Sequence, residues 1–250
     1  MGKHLLSIII PAKNEEKTIK NTISVAKKCF PNIQKEIIVV AANPLTEKAI
    51  KKEGVVVLRQ KDKGKGNAMK LGFGNSSGEI VVFSDADIQN LEKSWIEKIV
   101  KPILDNKADV VLGWCRSPYF KVATETVYKP LMELLFPEVK KKISFEKESL
   151  TGQRAFKRPI LSKLDLFPNF GVETAMNIDL TFLKPPTRIK EVFLGEKLEA
   201  YKGSTFMVQE IVEVIIAKAK EYNRFSRIKE RNYVEAIKLF SRTIEKALNP

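Results

Sequence analysis

Two kinds of segment alternate along the first 116 residues, and this alternation constrains the fold more than any other feature of the chain. Each short apolar run is followed by a segment whose apolar residues recur with helical spacing. The runs predict strands at 5–12, 36–42, 55–60, 79–87 and 108–116, and the segments between them predict helices at 15–30, 45–54, 66–78 and 92–106. Such alternation predicts an α/β protein with a mostly parallel sheet flanked by helices. Ligands bind such sheets at the carboxyl ends of the strands.

The second half of the chain has a more helical pattern. It predicts a helical stretch at 122–142, a short strand and a helix within 149–164, a helix at 171–184, a last strand at 189–200, and helices at 205–225 and 233–248. No linker or repeat is visible, so we predict one domain, residues 1–204, with halves 1–118 and 119–204, and a helical C-terminal extension, 205–250. Terminal amphipathic helices pack on the body or on a second subunit, which leaves a homodimer open.

The net charge of +14 favours an anionic partner, which includes nucleic acid, a membrane surface and phosphorylated small molecules. No nucleic-acid-binding signature is present, so we expect no nucleic acid partner. No apolar run reaches the roughly 18–20 residues of a membrane span, so any membrane contact would be peripheral. The N-terminus has no signal-peptide cleavage site, and Cys29 and Cys115 form no disulfide or metal pattern. We therefore expect a cytoplasmic protein.

An acidic turn follows the first strand, in "IIIPAKNEEKTI". Pro11 ends the strand because proline cannot donate a hydrogen bond to a neighbouring strand. Asn14, Glu15 and Glu16 then lie on the turn that leads into the first helix. These residues either bind a ligand or simply form a helix start, where acidic side chains interact favourably with the helix dipole.

A basic, glycine-containing turn follows the third strand, in "RQKDKGKGNAMKLGF". Gly64 and Gly66 would let a ligand approach the backbone closely. A helix that starts near Asn67 would direct amide groups and a positive dipole at the ligand, and Lys65 would add a full charge. This arrangement suits a diphosphate, although the spacing differs from that of a Walker A loop. The alternative is a basic surface turn.

Paired acids follow the fourth strand, in "VVFSDADIQN". Asp85 and Asp87 are separated only by Ala86, and they either cap the next helix or hold a divalent cation. Mg²⁺ and Mn²⁺ accept one or two carboxylates together with phosphate oxygens. The three turns all lie at carboxyl ends of strands, and together they provide what a nucleoside diphosphate with a metal ion requires.

These motifs resemble those of a known enzyme family. "SIIIPAKNEEKTI", "KGKGNAMKLGF" and "VVFSDADI" are similar to the nucleotide-sugar half of GT-A fold (Rossmann-like) glycosyltransferases, of which many belong to family 2. "TETVYKPLMELLFPEV", "LTGQRAF", "FGVETAMNIDL" and "VFLGEKLEAYKG" resemble, in this order, segments of glucosyl-3-phosphoglycerate synthases. The resemblance covers roughly residues 5–220. It implies a retaining, metal-dependent hexosyltransferase that uses a nucleoside-diphosphate sugar and a small anionic acceptor.

The resemblance also implies roles for individual residues. The predicted nucleotide-sugar contacts are Pro11, Ala12, Asn14, Glu15, Asn43, Lys65, Gly66, Asp85 and Ala86. The predicted catalytic residues are Glu173, Gly152 and Asp87. The predicted acceptor contacts are Lys121, Thr124, Thr151, Gln153 and Arg154. The predicted ligands of Mg²⁺ or Mn²⁺ are Asp85, Asp87 and Glu199. Residues 1–118 would then be the nucleotide-sugar half and 119–204 the acceptor half.

Three departures from the family pattern affect these assignments. Asn43 stands in the segment where the family usually has an acidic residue for the base, so the nucleobase stays open. Glu199 occupies the place of the family's late histidine metal ligand. The family has Gly-Arg-Val before the threonine, whereas Lys121, Val122 and Ala123 precede Thr124 here. The arginine that would bind a phosphate bidentately is therefore missing, and Lys121 could supply only its charge. The sequence therefore leaves open whether the acceptor is phosphoglycerate.

Other interpretations remain open from the sequence. Glu173, if buried, needs a partner, and Arg154 could form a purely structural pair with it. An inverting family 2 transferase at a membrane face would use Glu173 or Asp179 as its base. A nucleotidyltransferase or a basic binding module would also use parts of this pattern, because a fold alone does not determine function.

Overall fold

A mostly parallel sheet forms the centre of the protein. The computed structural model describes residues 5–116, 124–145, 147, 150–199 and 205–225. In this part of the chain, the strands are β1 (Leu6–Ala12), β2 (Lys35–Ala41), β3 (Val56–Arg59), β4 (Ile80–Phe83), β5 (Val110–Arg116), β6 (Arg154–Lys157) and β7 (Ile189–Glu196). Their order across the sheet is β3-β2-β1-β4-β6-β5-β7. Only β6 runs antiparallel to its neighbours, β4 and β5, so the predicted mostly parallel α/β sheet is confirmed.

The helices of the described residues flank this sheet. They are α1 (Ile19–Lys28), α2 (Pro44–Ile50), α3 (Lys65–Gly74), α4 (Lys93–Leu104), α5 (Lys129–Leu135), α6 (Arg158–Leu161), α7 (Val172–Phe182) and α8 (Thr205–Glu221). The predicted helical stretch at 122–142 contains a π-helical turn, then α5, then a short 3₁₀ turn. α5 ends before Phe136 because Pro137 disfavours a helical conformation in the residue that precedes it. The predicted helix at 233–248 lies outside the described residues.

The two faces of the sheet bury different sets of side chains, as the alternation of a strand requires. On one face, Ile9, Val81 and Phe156 belong to a core that also includes residues of α3, α5, α7 and α8. On the other face, Ile8 and Val82 pack with residues of α1 and α4. α3 and α7 therefore share one face of the sheet, and this brings their N-terminal residues together.

The fourth strand is shorter than the sequence suggested. It was predicted to reach residue 87, but β4 ends at Phe83, which is also its last residue paired with β6. Asp85 and Asp87 consequently lie in the loop after the strand, where Ala86 between them is buried. Within the described residues, no helix has the length and apolar character needed to cross a membrane.

Candidate active site

The acidic turn after β1 meets the start of α2. Asn14 has a left-handed backbone conformation, with φ of 61°, which asparagine tolerates better than most residues. Its side-chain oxygen accepts a hydrogen bond from Asn43 Nδ2 at 2.5 Å. Asn43 Oδ1 in turn accepts from the backbone N–H of Thr46 at 2.8 Å and so caps α2. The structure therefore brings two of the predicted nucleotide contacts together, and it gives Asn43 a structural role besides.

The glycine turn before α3 is occupied by the chain itself. The sequence suggested that Gly64 and Gly66 admit a ligand, but the segment 167–169 makes this approach instead. Gly66 N donates to Asn169 O at 3.1 Å, and Asn67 N donates to Pro168 O at 3.0 Å. A side chain at Gly66 would overlap the carbonyl of Phe167. These two amides are thus hydrogen-bonded within the protein, which corrects the expectation that they face a diphosphate.

Lys65 links two carboxylates from distant parts of the chain. Its Nζ lies 2.8 Å from Asp85 Oδ1, in the loop after β4, and 2.7 Å from Glu173 Oε1, in the first turn of α7. The side chain of Glu173 is only 3% exposed and that of Lys65 is 17% exposed. Burial alone would lower the pKa of Lys65, but the charges of Asp85 and Glu173 outweigh it and raise that pKa. The ammonium group therefore stays charged at every physiological pH.

Arg154 is fully buried close to this cluster. Its Nε donates to Thr151 O at 2.6 Å and its Nη1 donates to Asn177 Oδ1 at 2.8 Å. Asn177 Nδ2 donates to the hydroxyl of Tyr128 at 3.2 Å. Burial lowers the pKa of Arg154, and the charge of Glu173 acts in the opposite direction. The sequence leaves Arg154 open as a structural partner of Glu173. The structure shows an ion pair of Glu173 with Lys65 and places the positive charge of Arg154 nearby.

Asn177 and Tyr128 belong to this network but were not selected from the sequence. Asn177 lies four residues after Glu173 on α7, and residues at this spacing share a helix face. This spacing is the signal that could have identified Asn177. Tyr128 has no comparable local signal, because its contact with Asn177 joins distant parts of the chain.

The segment before β6 packs against the paired acids. A side chain at Gly152 would overlap the carboxylate of Asp85, so glycine is required for this close approach. Thr151 Oγ1 accepts a hydrogen bond from Gln153 N at 3.0 Å. Within the described residues, the buried side-chain amide of Gln153 and the buried hydroxyl of Thr124 make no hydrogen bond. Both are predicted acceptor contacts, as are Thr151 and Arg154, and the fifth, Lys121, lies outside the described residues.

The predicted metal ligands are only partly assembled. Gln89 N donates to Leu198 O at 2.9 Å, so the chain after β7 returns to the loop that carries Asp87. However, Glu199 Oε2 pairs with Lys197 Nζ at 3.1 Å. The described part of the chain contains no group of three or more His, Cys, Asp or Glu side chains suited to a metal ion. The carboxylate oxygens of the pair after β4 are ligands that Mg²⁺ and Mn²⁺ accept, and Glu199 as their third ligand stays a prediction.

Asp179, the alternative base of an inverting reaction, is held in a separate buried cluster between α7 and α8. Its Oδ1 lies 3.0 Å from Lys218 Nζ and accepts a hydrogen bond from the hydroxyl of Tyr222 at 3.0 Å. Burial raises the pKa of Asp179, and Lys218 acts in the opposite direction. Since these partners occupy the carboxylate, the geometry favours a structural role for Asp179.

The comparisons with known proteins agree with this architecture. The family model described as "Glycosyl transferase family 2" matches residues 7–163. The chain belongs to this family. A glucosyl-3-phosphoglycerate synthase of Mycobacterium tuberculosis is 29% identical over 199 residues, which is 70% of this chain and 60% of that protein. The chain thus spans less than two thirds of that relative. The same enzyme of Petrotoga mobilis is 25% identical over 249 residues, covering 88% of this chain and 74% of that protein.

A solved structure extends the similarity to the fold. The crystal structure of the M. tuberculosis enzyme, in complex with Mn²⁺, UDP and phosphoglyceric acid, superposes with a TM-score of 0.77 and 26% identity. The match covers 86% of this chain and 78% of that chain. The GT-A fold and the resemblance to glucosyl-3-phosphoglycerate synthases, both predicted from the sequence, are confirmed. The individual site residues stay predictions.

Proposed function

We propose that this protein is a metal-dependent glycosyltransferase that moves a hexose from a nucleoside-diphosphate sugar to a small anionic acceptor such as 3-phosphoglycerate. The observation that carries the proposal is the ion-pair cluster of Lys65 with Asp85 and Glu173, beyond the carboxyl end of β4. Ligands of open α/β sheets bind at this end. The similar M. tuberculosis enzyme is described with UDP, Mn²⁺ and phosphoglyceric acid, which are the ligand classes that the proposal requires.

In this proposal, Lys65 meets the phosphates of the donor. Its ammonium is charged and lies beside the paired acids, so it can stabilise the negative charge that grows on the leaving diphosphate. Asp85 and Asp87 would hold Mg²⁺ or Mn²⁺, which supplies further positive charge at the diphosphate when bound. The remaining ligands would be water and phosphate oxygens, as is usual for Mg²⁺ sites. Asp85 would then exchange part of its contact with Lys65 for the metal.

The transferred sugar and the acceptor would lie near Gly152 and Glu173. Gly152 leaves no space between its backbone and the carboxylate of Asp85, so this loop forms one wall of the site. Arg154 contributes a buried positive charge on the acceptor side, which suits an anionic acceptor. The side chains of Gln153 and Thr124 have hydrogen-bonding capacity that is unused among the described residues. We propose, in line with the family resemblance, that the anomeric configuration is retained.

Calorimetric titration tests the donor site directly. UDP, GDP and ADP are each titrated with Mn²⁺ or with EDTA into the native chain, into Asp87→Ala and into the control Asp62→Ala, which changes an exposed acid of the basic turn. We expect metal-dependent binding of one nucleotide, lost in Asp87→Ala and kept in Asp62→Ala. Absence of binding, or binding that ignores both the metal and Asp87, would contradict the proposal.

The nucleotide that binds then defines the donor for acceptor assays. The corresponding nucleoside-diphosphate hexoses are incubated with 3-phosphoglycerate and with related anionic acceptors, and the products are analysed by NMR. Release of the nucleoside diphosphate with formation of a new α-glycosidic bond from an α-linked donor is the expected result. A β-linked product would refute retention while leaving the donor site intact. A separate incubation with a nucleoside triphosphate and a sugar phosphate tests the alternative. Release of pyrophosphate there would indicate a nucleotidyltransferase.

A further inference from the structure

The segment 167–171, which we call the α7 leader, lies between the ion-pair cluster and α8. It leads directly into α7, so it immediately precedes Glu173. On one side it contacts the N-terminus of α3, which begins with Lys65, and on the other side it contacts α8. Any displacement of this segment would therefore reach both Lys65 and Glu173.

The contact between the leader and α3 uses backbone atoms and one ring. The carbonyls of Asn169 and Pro168 accept hydrogen bonds from the amides of Gly66 and Asn67, in the first turn of α3, at 3.1 and 3.0 Å. These bonds satisfy two donors that a helix end otherwise leaves open. The ring of Phe170 lies with its centroid 5.3 Å from Lys65 Nζ, within the range of a cation–π interaction. The leader thus fixes both the backbone that bears Lys65 and the position of its ammonium group.

The shortest hydrogen bond between the leader and α8 is accepted by the carboxylate of Glu210. Glu210 Oε2 accepts a hydrogen bond from the backbone N–H of Phe170 at 2.6 Å. Glu213 Oε2 accepts a longer bond from Asn169 Nδ2 at 3.3 Å. A side chain at Gly171 would collide with α8, so the two segments approach as closely as their backbones allow. A hydrogen bond to a charged acceptor is stronger than a neutral one, and the charge of Glu210 also lies at the N-terminus of α7, where it is favourable.

We propose that Glu210 is a positioning residue of the active site. It holds the backbone of Phe170, and through the α7 leader it fixes Lys65 on α3 and Glu173 on α7 in the geometry that binds the donor diphosphate. This role rests on the proposed function. Glu210 positions active-site residues only if Lys65 and Glu173 act on a nucleotide sugar. α8 is then part of the catalytic unit, although Glu210 itself touches neither substrate nor metal.

Hydrogen exchange tests the mechanical part of this proposal without any ligand. Amide exchange is measured by mass spectrometry on the native chain, on Glu210→Ala, on Glu210→Gln and on the control Gln209→Ala, which changes the exposed neighbour on α8. We expect exchange in peptides covering 64–70 and 167–175 to be about tenfold faster in Glu210→Ala, because a hydrogen bond to a charged group is lost. Glu210→Gln keeps an acceptor and should give an increase of about threefold. Faster exchange confined to α8, or no change, would overturn the proposal.

Nucleotide binding and kinetics test the functional part with the same variants. We expect Glu210→Ala to weaken nucleotide binding in the presence of Mn²⁺ by about tenfold and to raise the KM of the donor more than that of the acceptor, while Glu210→Gln recovers most of the affinity. Unchanged affinity in a variant with accelerated exchange would overturn the proposal. If the native chain itself binds no nucleotide, the proposed function fails, and the exchange data still determine whether Glu210 controls the segment around Lys65.

Discussion

Replacing Lys65 by methionine tests the central feature of the site, which is a largely buried cation between two carboxylates. Methionine fills a similar volume but removes the charge. Glu173, 3% exposed, and Asp85, 20% exposed, would then lose the ammonium that lies within 2.8 Å of each. Removing one partner of a buried ion pair costs about 3–5 kcal/mol because the other charge stays buried. For a chain of 250 residues this corresponds to a fall in Tm of roughly 6–20 °C.

The stabilising contribution of Lys65 depends on pH in a defined direction. The pKa of Lys65 is raised in the folded state, so its stabilising contribution is complete below the unfolded-state value of about 10.4 and disappears only as the pH rises past the folded-state value. Native stability should therefore show no loss from Lys65 between about pH 5 and pH 9. The deficit of Lys65→Met relative to the native chain should accordingly be similar at about pH 5 and about pH 8.

Thermal and urea unfolding at about pH 5 and about pH 8 measure the loss of stability in Lys65→Met at each pH. The double variant Lys65→Met/Glu173→Gln removes the buried charge together with its partner and should recover most of the lost stability. Lys63→Met, which removes an exposed lysine of the same turn, is the matched control. A loss below about 1 kcal/mol for Lys65→Met would be typical of an exposed ion pair and would refute the reasoning. Failure of the double variant to recover stability would refute it as well.

Two further substitutions test neighbouring parts of the structure. Lys218→Met should lower the free energy of unfolding by about 3 kcal/mol in urea denaturation, because Asp179 keeps a buried charge without its cation, and a change below about 1 kcal/mol would contradict this. Gly152→Ala should weaken Mn²⁺-dependent nucleotide binding by about tenfold in calorimetry, because the added methyl group displaces the carboxylate of Asp85. A factor of about ten corresponds to the loss of one hydrogen bond to a charged group. Unchanged binding would show that this loop does not support the donor site.

The sheet could be predicted from the sequence because its signals are local. Each apolar run is short, is bounded by turn residues and contributes side chains to both cores, so the sequence pattern alone locates most strands. The insertion of β6 between β4 and β5 could not be predicted in this way. Its pairing joins Arg154 to Phe83 and to Leu112, which lie far away in the sequence, and a four-residue strand carries no pattern that specifies such partners.

The ion pairs of the site were predicted less well than the residues that form them. Glu173 and Lys65 are both predicted site residues, but the sequence offers only Arg154 as a possible partner of Glu173 and does not predict the ion pair with Lys65. The observed pair depends on α3 and α7 sharing one face of the sheet, and no local pattern contains this information. Asp85 and Asp87 were predicted at a strand end, and they lie in the loop just after β4. The end of β4 was predicted too late, because the apolar run and the acids follow each other as one continuous segment in the sequence.

A phosphate near the glycine turn could be bound by backbone amides of α3 or by the ammonium of Lys65, and only the structure distinguishes these two modes. Glycines at 64 and 66 indicate that another group approaches the backbone closely, but not whether this group is a ligand or the chain itself. The amides of Gly66 and Asn67 at the start of α3 already donate hydrogen bonds to the carbonyls of Asn169 and Pro168. A diphosphate near this helix therefore cannot be bound by these amides as in a P-loop. The side-chain ammonium of Lys65 is the positive group that remains directed at the paired acids. We therefore expect donor affinity to depend steeply on the charge at position 65 and on its support by the α7 leader, and only weakly on the helix dipole of α3.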